Sequence, residues 1–178
     1  MKFFQKRWVA WTLCVLVIFA STLLNTRWKL GARCNDLAWS FYGQNGIAAS
    51  LNQLGEEGVS LAKIAEANGI DAGTLRVAAE TLLNKLGSHS VDAAKIYTSY
   101  EGLRSELDSV EQKLLSTSLS AEDASAVSAS LERIHTAKAQ IGACDYNAQV
   151  QRFLDRYNNG FTRLLANLAG VKLPVAFA

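Results

Sequence analysis

The chain has 178 residues, close to half of them hydrophobic, with a single proline and a formal net charge of +2. That length holds one domain plus an appendage, and the abundance of Ala, Leu, Lys, Glu and Gln favours helix. The first 33 positions carry six basic residues and no acid, which leaves 12 basic against 16 acidic residues in the remainder, a net of −4; such a body does not attract a phosphate backbone, so nucleic acid is not an expected partner.

Trp8 to Leu24 is a run of 17 residues without a charge, at the short end of the ~17–25 that a membrane-crossing helix needs. Lys2, Lys6 and Arg7 precede it and Arg27, Lys29 and Arg33 follow it. Basic side chains at both ends snorkel to the headgroups, and Trp8, Trp11 and Trp28 stand where interfacial aromatics anchor a span. Residues 1–30 therefore read as a basic segment plus a membrane anchor, with Trp8, Trp11, Leu16, Phe19 and Leu24 in contact with lipid, and residues 31–178 as the body. The rival is a cleavable signal peptide, but Ala20-Ser21-Thr22 is a poor cleavage site and Leu23-Leu24 continue the apolar run past it. Neither Cys14 nor Cys34 follows a lipobox. Three basic residues on each side give the positive-inside rule no lever. The short segment before the span favours an inside N-terminus and an extracytoplasmic body.

Cys14 reads as a small apolar residue of the span. Cys34 and Cys144 read as buried thiols, able to pair only if the body is external and the geometry allows. His89 and His135 stand alone, no C-x-x-C occurs, and no set of convergent ligands suggests a metal.

In the body, Ile47, Leu51, Leu54, Gly58, Leu61 and Ala65 alternate steps of four and three. This is one stripe on a helix expected from about Asp36, its N-cap, to Asn68, with Asn68-Gly69 as the stop. Gly43, Gly46, Gly55 and Gly58 imply either an irregular beginning or close approach by a neighbour. Asp71 is expected to cap a second helix with the stripe Leu75, Ala79, Leu82 and Leu86, interrupted at Gly87-Ser88-His89-Ser90. A third stripe is Ala93, Ile96, Tyr100, Leu103, Leu107, Val110 and Leu114. Ser120-Ala-Glu-Asp reads as a helix start, followed by Ala124, Val127, Leu131, Ile134 and Ile141. Near Gly142 the stripe shifts, as at a kink, and resumes as Tyr146, Val150, Phe153, Tyr157, Leu164 and Leu168. No strand pattern occurs. The expected fold is all-α: a transmembrane helix followed by an antiparallel up-and-down bundle of three to four long helices.

The C-terminal stretch is the most distinctive: Tyr146-Asn147-Ala-Gln-Val150-Gln-Arg-Phe153, then Leu164-Leu165-Ala166, Gly170-Val171-Lys172, and Pro174 before Phe177. It resembles the ending of the LemA family, whose members carry Tyr-Asn-x-x-Val-x-x-Tyr/Phe-Asn, then Phe-Pro, then an apolar run to Gly-Phe/Val-Lys-x-x-x-x-Phe. The second asparagine is Leu154 here, the family proline falls at Phe161, and Tyr157-Asn158 is out of register by four residues. In outline the resemblance covers the whole chain, and it implies a single-span membrane protein with a helical bundle and no catalytic residues.

The stripe through Tyr146 and Tyr157 reads first as core and second as a docking face. Asn147 and Asn158 share a face and read as caps for neighbouring backbone, or as binders of a partner's strand. Glu101, Glu106, Asp108 and Glu111 read as a solvated helix face. With Glu56-Glu57 they resemble a di-metal carboxylate set only superficially, because neither histidine has a glutamate three positions before it. No nucleophile elbow, Ser-x-x-Lys or phosphate loop is present. The expectation is a membrane-anchored interaction module of the cell envelope, with an unidentified protein partner, no cofactor and no enzyme activity. A small-ligand sensor signalling through a partner, or a secreted binder, is the alternative. Oligomeric state is not legible.

Overall fold

The helix expected from Asp36 to Asn68 is divided at its glycines. In the computed structural model, which describes residues 7–43, 46–88, 92–157 and 159–178, α1 runs Arg7–Tyr42 and α2 Ile47–Ala67. Asp36 is thus an interior residue of α1, not an N-cap. A Cβ at Gly46 would collide with the carbonyl oxygen of Phe41, so only glycine fits the bend between the two helices. Nor does anything break α1 at residue 30; the helix passes uninterrupted from the apolar run to Tyr42. The remaining helices are α3 (Gly73–Gly87), α4 (Ala93–Ser116), α5 (Ala121–Ala143), α6 (Tyr146–Tyr157) and α7 (Gly160–Leu168), with no strand among the described residues. The fold is all-α. Lys2, Lys6, His89 and Asn158 lie outside the described residues.

Two compact units emerge, one of residues up to Ala38 with Val150–Pro174, the other of Trp39–Gln149 with Val175–Ala178. The second contains the bundle. Its helices α2 to α5 alternate in direction, as paired residues show: Glu66 with Arg76 and Gly55 against Leu83 for α2 and α3, Thr74 with Glu106 for α3 and α4, Asp108 with Lys138 for α4 and α5, and Ser50 with Gln140 for α2 and α5. The stripes read from spacing on α2, α3 and α4 are buried in full. On α5, Val127, Leu131, Ile134 and Ile141 are buried, but Ala124 is exposed.

Two glycines of α2 are there for close approach. A Cβ on Gly58 would sit 3.3 Å from both Ala79 Cβ and Leu103 Cδ1, and one on Gly55 would sit 2.8 Å from Leu83. Glu57, on the same helix, is largely buried; it accepts a hydrogen bond from Ser130 Oγ at 2.5 Å and pairs with Arg133 Nε at 2.5 Å, tying α2 to α5. The acids expected on a solvated face also engage: Glu106 accepts from Thr74 Oγ1 at 2.6 Å, and Asp108 pairs with Lys138 at 2.8 Å.

Helix ends follow the local chemistry. Ser120 Oγ accepts from Asp123 N–H at 3.1 Å, and Glu122 and Asp123 occupy the first turn of α5. The cap of α3 is displaced by one residue. Ala72 is the N-cap, and Asp71 Oδ1 instead receives Gly73 N–H at 3.2 Å. Gly69 has φ +76, with Ile70 N–H donating to Ala65 O at 2.9 Å and Gly69 N–H to Glu66 O at 3.1 Å, a Schellman stop for α2.

The kink expected near Gly142 is a full break: Cys144 is extended at φ −70, ψ 132, and a new helix starts at Tyr146. A second break follows α6. Asn159 caps α7, its Oδ1 accepting from Thr162 N–H at 2.8 Å. The restart resets the helical phase, so Leu164 and Leu168 do not continue the buried face of Tyr146, Val150 and Phe153; both are exposed.

Candidate functional site

Three features bear on function, each within one unit. The first is the apolar part of α1. It is long and apolar enough to cross a membrane, and none of its most apolar 18-residue window is buried. Trp8, Trp11, Leu16, Phe19 and Leu24 all project outward. Thr12, Thr22 and Thr26 of α1 donate their hydroxyls to the carbonyls of Trp8, Ile18 and Thr22 at 2.9, 2.8 and 2.8 Å, as threonines of the bundle helices also do. A hydroxyl already bonded to its own helix loses little on leaving water.

Beyond the apolar run, α1 acquires a packed face. Leu30 is buried with Phe153 of α6 and Ala166 of α7, and Cys34, Leu37, Leu154, Tyr157, Val171 and Leu173 surround them. Arg33 Nη1 donates to Tyr157 Oη at 2.5 Å, its guanidinium lies 5.5 Å from that ring's centroid, and Tyr157 stacks on Phe153 at 4.9 Å. Burial pushes the Cys34 thiol up from its ordinary value. Cys34 and Cys144 carry thiols and are partly buried, while Cys14 is exposed on α1. Gly170 has φ +68, and Val171 N–H donates to Ala166 O at 2.9 Å, a second Schellman stop. The neighbouring Lys172 is exposed.

The second feature is a clasp on the C-terminal tail, in the bundle unit. Asn147 on α6 holds both backbone groups of Phe177: Oδ1 accepts the Phe177 N–H at 2.7 Å, and Nδ2 donates to the Phe177 carbonyl at 2.7 Å. An amide side chain thereby pairs with one residue as a neighbouring strand would. Tyr146 Oη donates to the carbonyl of Val175 at 3.2 Å. The Phe177 ring, 4% exposed, enters an aromatic cluster. Its centroid lies 5.1 Å from Tyr97, edge to face, 5.6 Å from Tyr100 and 6.1 Å from Phe41, and Phe41 meets Tyr146 at 5.1 Å. Burial raises the phenol pKa of Tyr146, and raises that of Tyr100 against the opposing pull of Arg104.

The resemblance singled out Tyr146, Asn147, Val150 and Phe153; Tyr146 and Asn147 form the clasp with Phe177, while Val150 and Phe153 are buried in the other unit. Backbone capping by Asn147 is what the structure shows. Phe41 and Tyr97 were not singled out. They stand on other helices, and only the folded topology brings them to Phe177.

The third feature is a cleft of about 650 Å³ beside the clasp, lined by Ser50, Gln53, Gln140, Asp145 and Gln149 among others, with Ser50 Oγ donating to Gln140 Oε1 at 3.0 Å. It is polar. Among the described residues no three His, Cys, Asp or Glu side chains converge as a metal site would require. His135 stands 3.8 Å from Glu111 on the neighbouring helix. No family model matches the chain, and neither a curated protein nor a solved structure matches it.

Proposed function

We propose that this is a membrane-anchored, non-catalytic helical-bundle protein of the LemA type that acts through protein or envelope interactions. The observation that carries the anchoring is α1: its apolar window is unburied from end to end, whereas every stripe on α2, α3 and α4 finds a neighbour. The 14 apolar residues of Trp8–Leu24, left in water, forfeit roughly 25 cal/mol for each Å² exposed, and lipid is the surround that removes this penalty. The kinship is supported by the residues that suggested it. Tyr146 and Asn147 hold Phe177, and Gly170 makes the left-handed stop. The non-catalytic part rests on the acids: Glu57, Glu106 and Asp108 are engaged in bonds between helices.

Alkaline carbonate extraction of membranes, followed by N-terminal sequencing of the mature chain, tests the anchor. The expected result is a chain resistant to extraction with residues 8–24 retained. A chain that is freely soluble with those residues intact overturns the proposal; one that begins beyond Leu24 shows a cleaved leader and a secreted binder. On the extracytoplasmic placement, a thiol introduced at the exposed Ser128 of a cysteine-free variant reacts with an impermeant maleimide in intact cells.

The polar cleft favours one second reading, a ligand-binding domain that signals through a partner, since clefts of roughly 300–1,000 Å³ suit small molecules. Under that reading a soluble metabolite raises the melting temperature of the purified chain, and Gln140→Leu abolishes the rise.

A further inference from the structure

Formal charge is divided somewhat more sharply between the two units than along the sequence, where the first 33 residues carry +6 and the remainder −4. The unit formed by residues up to Ala38 and Val150–Pro174 has ten basic residues and two acids, a net of +8, while the bundle unit has eight basic residues and fourteen acids, a net of −6; Lys2, Lys6 and Arg7 precede the apolar run, so the part of the first unit that follows it has seven basic residues and two acids, a net of +5. The basic excess comes from two sequence regions that meet only on folding. Arg152, Arg156, Arg163 and Lys172 join the residues that follow the apolar run.

Within this unit α7 presents an unpartnered apolar face. Its inner side, Ala166 and Leu165, packs toward α1, but Phe161, Leu164 and Leu168 are 70%, 58% and 56% exposed. These residues, at intervals of three and four, form one stripe. The depth of α7 follows from its neighbours: Phe161, Thr162 and Leu165 share a cleft with Asn25, Thr26, Lys29, Leu30 and Arg33 of α1. At ~1.5 Å per residue, those α1 positions lie about 2–14 Å along the helix past Leu24, the last residue of the apolar run. The headgroup layer on each side of a bilayer is roughly 5–8 Å deep. The cleft between α1 and α7 therefore begins where hydrocarbon gives way to phosphate and extends through the headgroup layer.

We infer that α7 is an interfacial helix: Phe161, Leu164 and Leu168 enter the acyl boundary beside the span, and Arg163 of α7, with Lys29 and Arg33 of the cleft it shares with α1, binds the phosphates of anionic phospholipid. This rests on the anchoring of α1 proposed above. Apolar stripe and basic surroundings together are the composition of a helix that lies in the headgroup plane, and anionic lipid adds attraction for each Lys or Arg near the surface. A soluble polyanion would meet the charge but leave the stripe in water. A purely apolar protein partner would cover the stripe but strand the charge.

The test uses the full chain, with its three cysteines replaced by alanine, in vesicles of phosphatidylcholine with phosphatidylglycerol. A nitroxide is attached singly at Val17, Leu164 or Asn167, and its relaxation by oxygen, which partitions into lipid, is compared with relaxation by an aqueous nickel chelate. The expected result is oxygen-dominated relaxation at Val17 and Leu164 and nickel-dominated relaxation at Asn167. Arg163→Gln should lower the ratio of lipid-docked to undocked Leu164 label about fivefold, and pure phosphatidylcholine should lower it further. If Val17 is lipid-exposed while Leu164 relaxes like Asn167, the inference fails and the anchor stands. If Leu164 is shielded from both reagents, protein covers the stripe and the inference again fails. A Val17 label in water removes the anchor and the inference together. Docking that is indifferent to phosphatidylglycerol overturns the anionic preference.

Discussion

Replacing Phe177 by alanine should release the C-terminal tail from the bundle, and the coupling of this change to Asn147 makes the reasoning testable. Burial of the ring contributes roughly 1.5–3 kcal/mol, its aromatic contacts about 0.5–1.5 kcal/mol more, and the three hydrogen bonds to the tail about 0.5–1.5 kcal/mol each. Fixing the backbone of the four residues Val175–Ala178 opposes docking by about 1–2 kcal/mol each. The two sides balance to within a few kcal/mol. A buried Phe→Ala change removes roughly 3–5 kcal/mol, which exceeds that margin, so Phe177→Ala undocks the whole tail instead of leaving a cavity beneath a bound one. Once the tail is free, Asn147 has nothing left to hold. The double variant Asn147→Ala/Phe177→Ala should then match Phe177→Ala to within about 0.5 kcal/mol in chemical denaturation, although Asn147→Ala alone is destabilising. Amide exchange at position 177 should accelerate to the rate of an unstructured chain in Phe177→Ala. Additive losses in the double variant, or continued protection of the Phe177 amide in Phe177→Ala, would refute the clasp as a single unit.

Other expectations follow from the packing. Gly58→Ala should destabilise the bundle by about 1–3 kcal/mol despite better helix propensity, because the new methyl meets Ala79 Cβ at 3.3 Å on a helix that cannot retreat; Gly102→Ala, with nothing within 4 Å, should stabilise by up to about 1 kcal/mol, both read from denaturant midpoints. Ser120→Ala removes the acceptor for Asp123 N–H and should lose about 0.5–2 kcal/mol. Burial raises the phenol pKa of Tyr42, Tyr100 and Tyr146 above their ordinary value of 10.0. Their contribution to stability is therefore complete below pH 10 and is lost as pH rises through the folded-state values. Tyrosinate absorbance should show phenols titrating late in the folded chain, and Phe177→Ala should bring Tyr146 back toward the ordinary value.

The bundle was legible because its physics is local. Seven positions of α4, from Ala93 to Leu114, keep one unbroken helical period, and all seven are buried. Helix ends with a side-chain signal, Ser120 and Asn68-Gly69, were legible for the same reason. Breaks were not. The apolar period of Tyr146, Val150 and Phe153 can be extended on paper to Leu164 and Leu168, because a seven-residue step from Tyr157 to Leu164 keeps phase in an ideal helix; the Asn159 cap restarts the chain and turns those leucines outward. Likewise Asp36 resembles an N-cap, but an apolar helix already under way has no need of one. The clasp was half legible. Asn147 carried the signature of a backbone-capping amide, yet its partner lies 30 residues away in a tail with no period.

Charge illustrates the same division between what is local and what is not. Cut by position at residue 33, the chain appears as a basic leader and a body of −4, and that body argues against nucleic acid as a partner. Folding moves Arg152, Arg156, Arg163 and Lys172 out of the body and into the unit that contains the apolar run, which leaves the bundle at −6 and the other unit at +8. Helices α2 to α5 remain a poor surface for any polyanion, while the unit built on α1 acquires the charge that a phospholipid headgroup layer attracts. An overall charge of +2 is the small residue of two large and opposite ones, and the partner of each surface has to be argued from the unit that bears it.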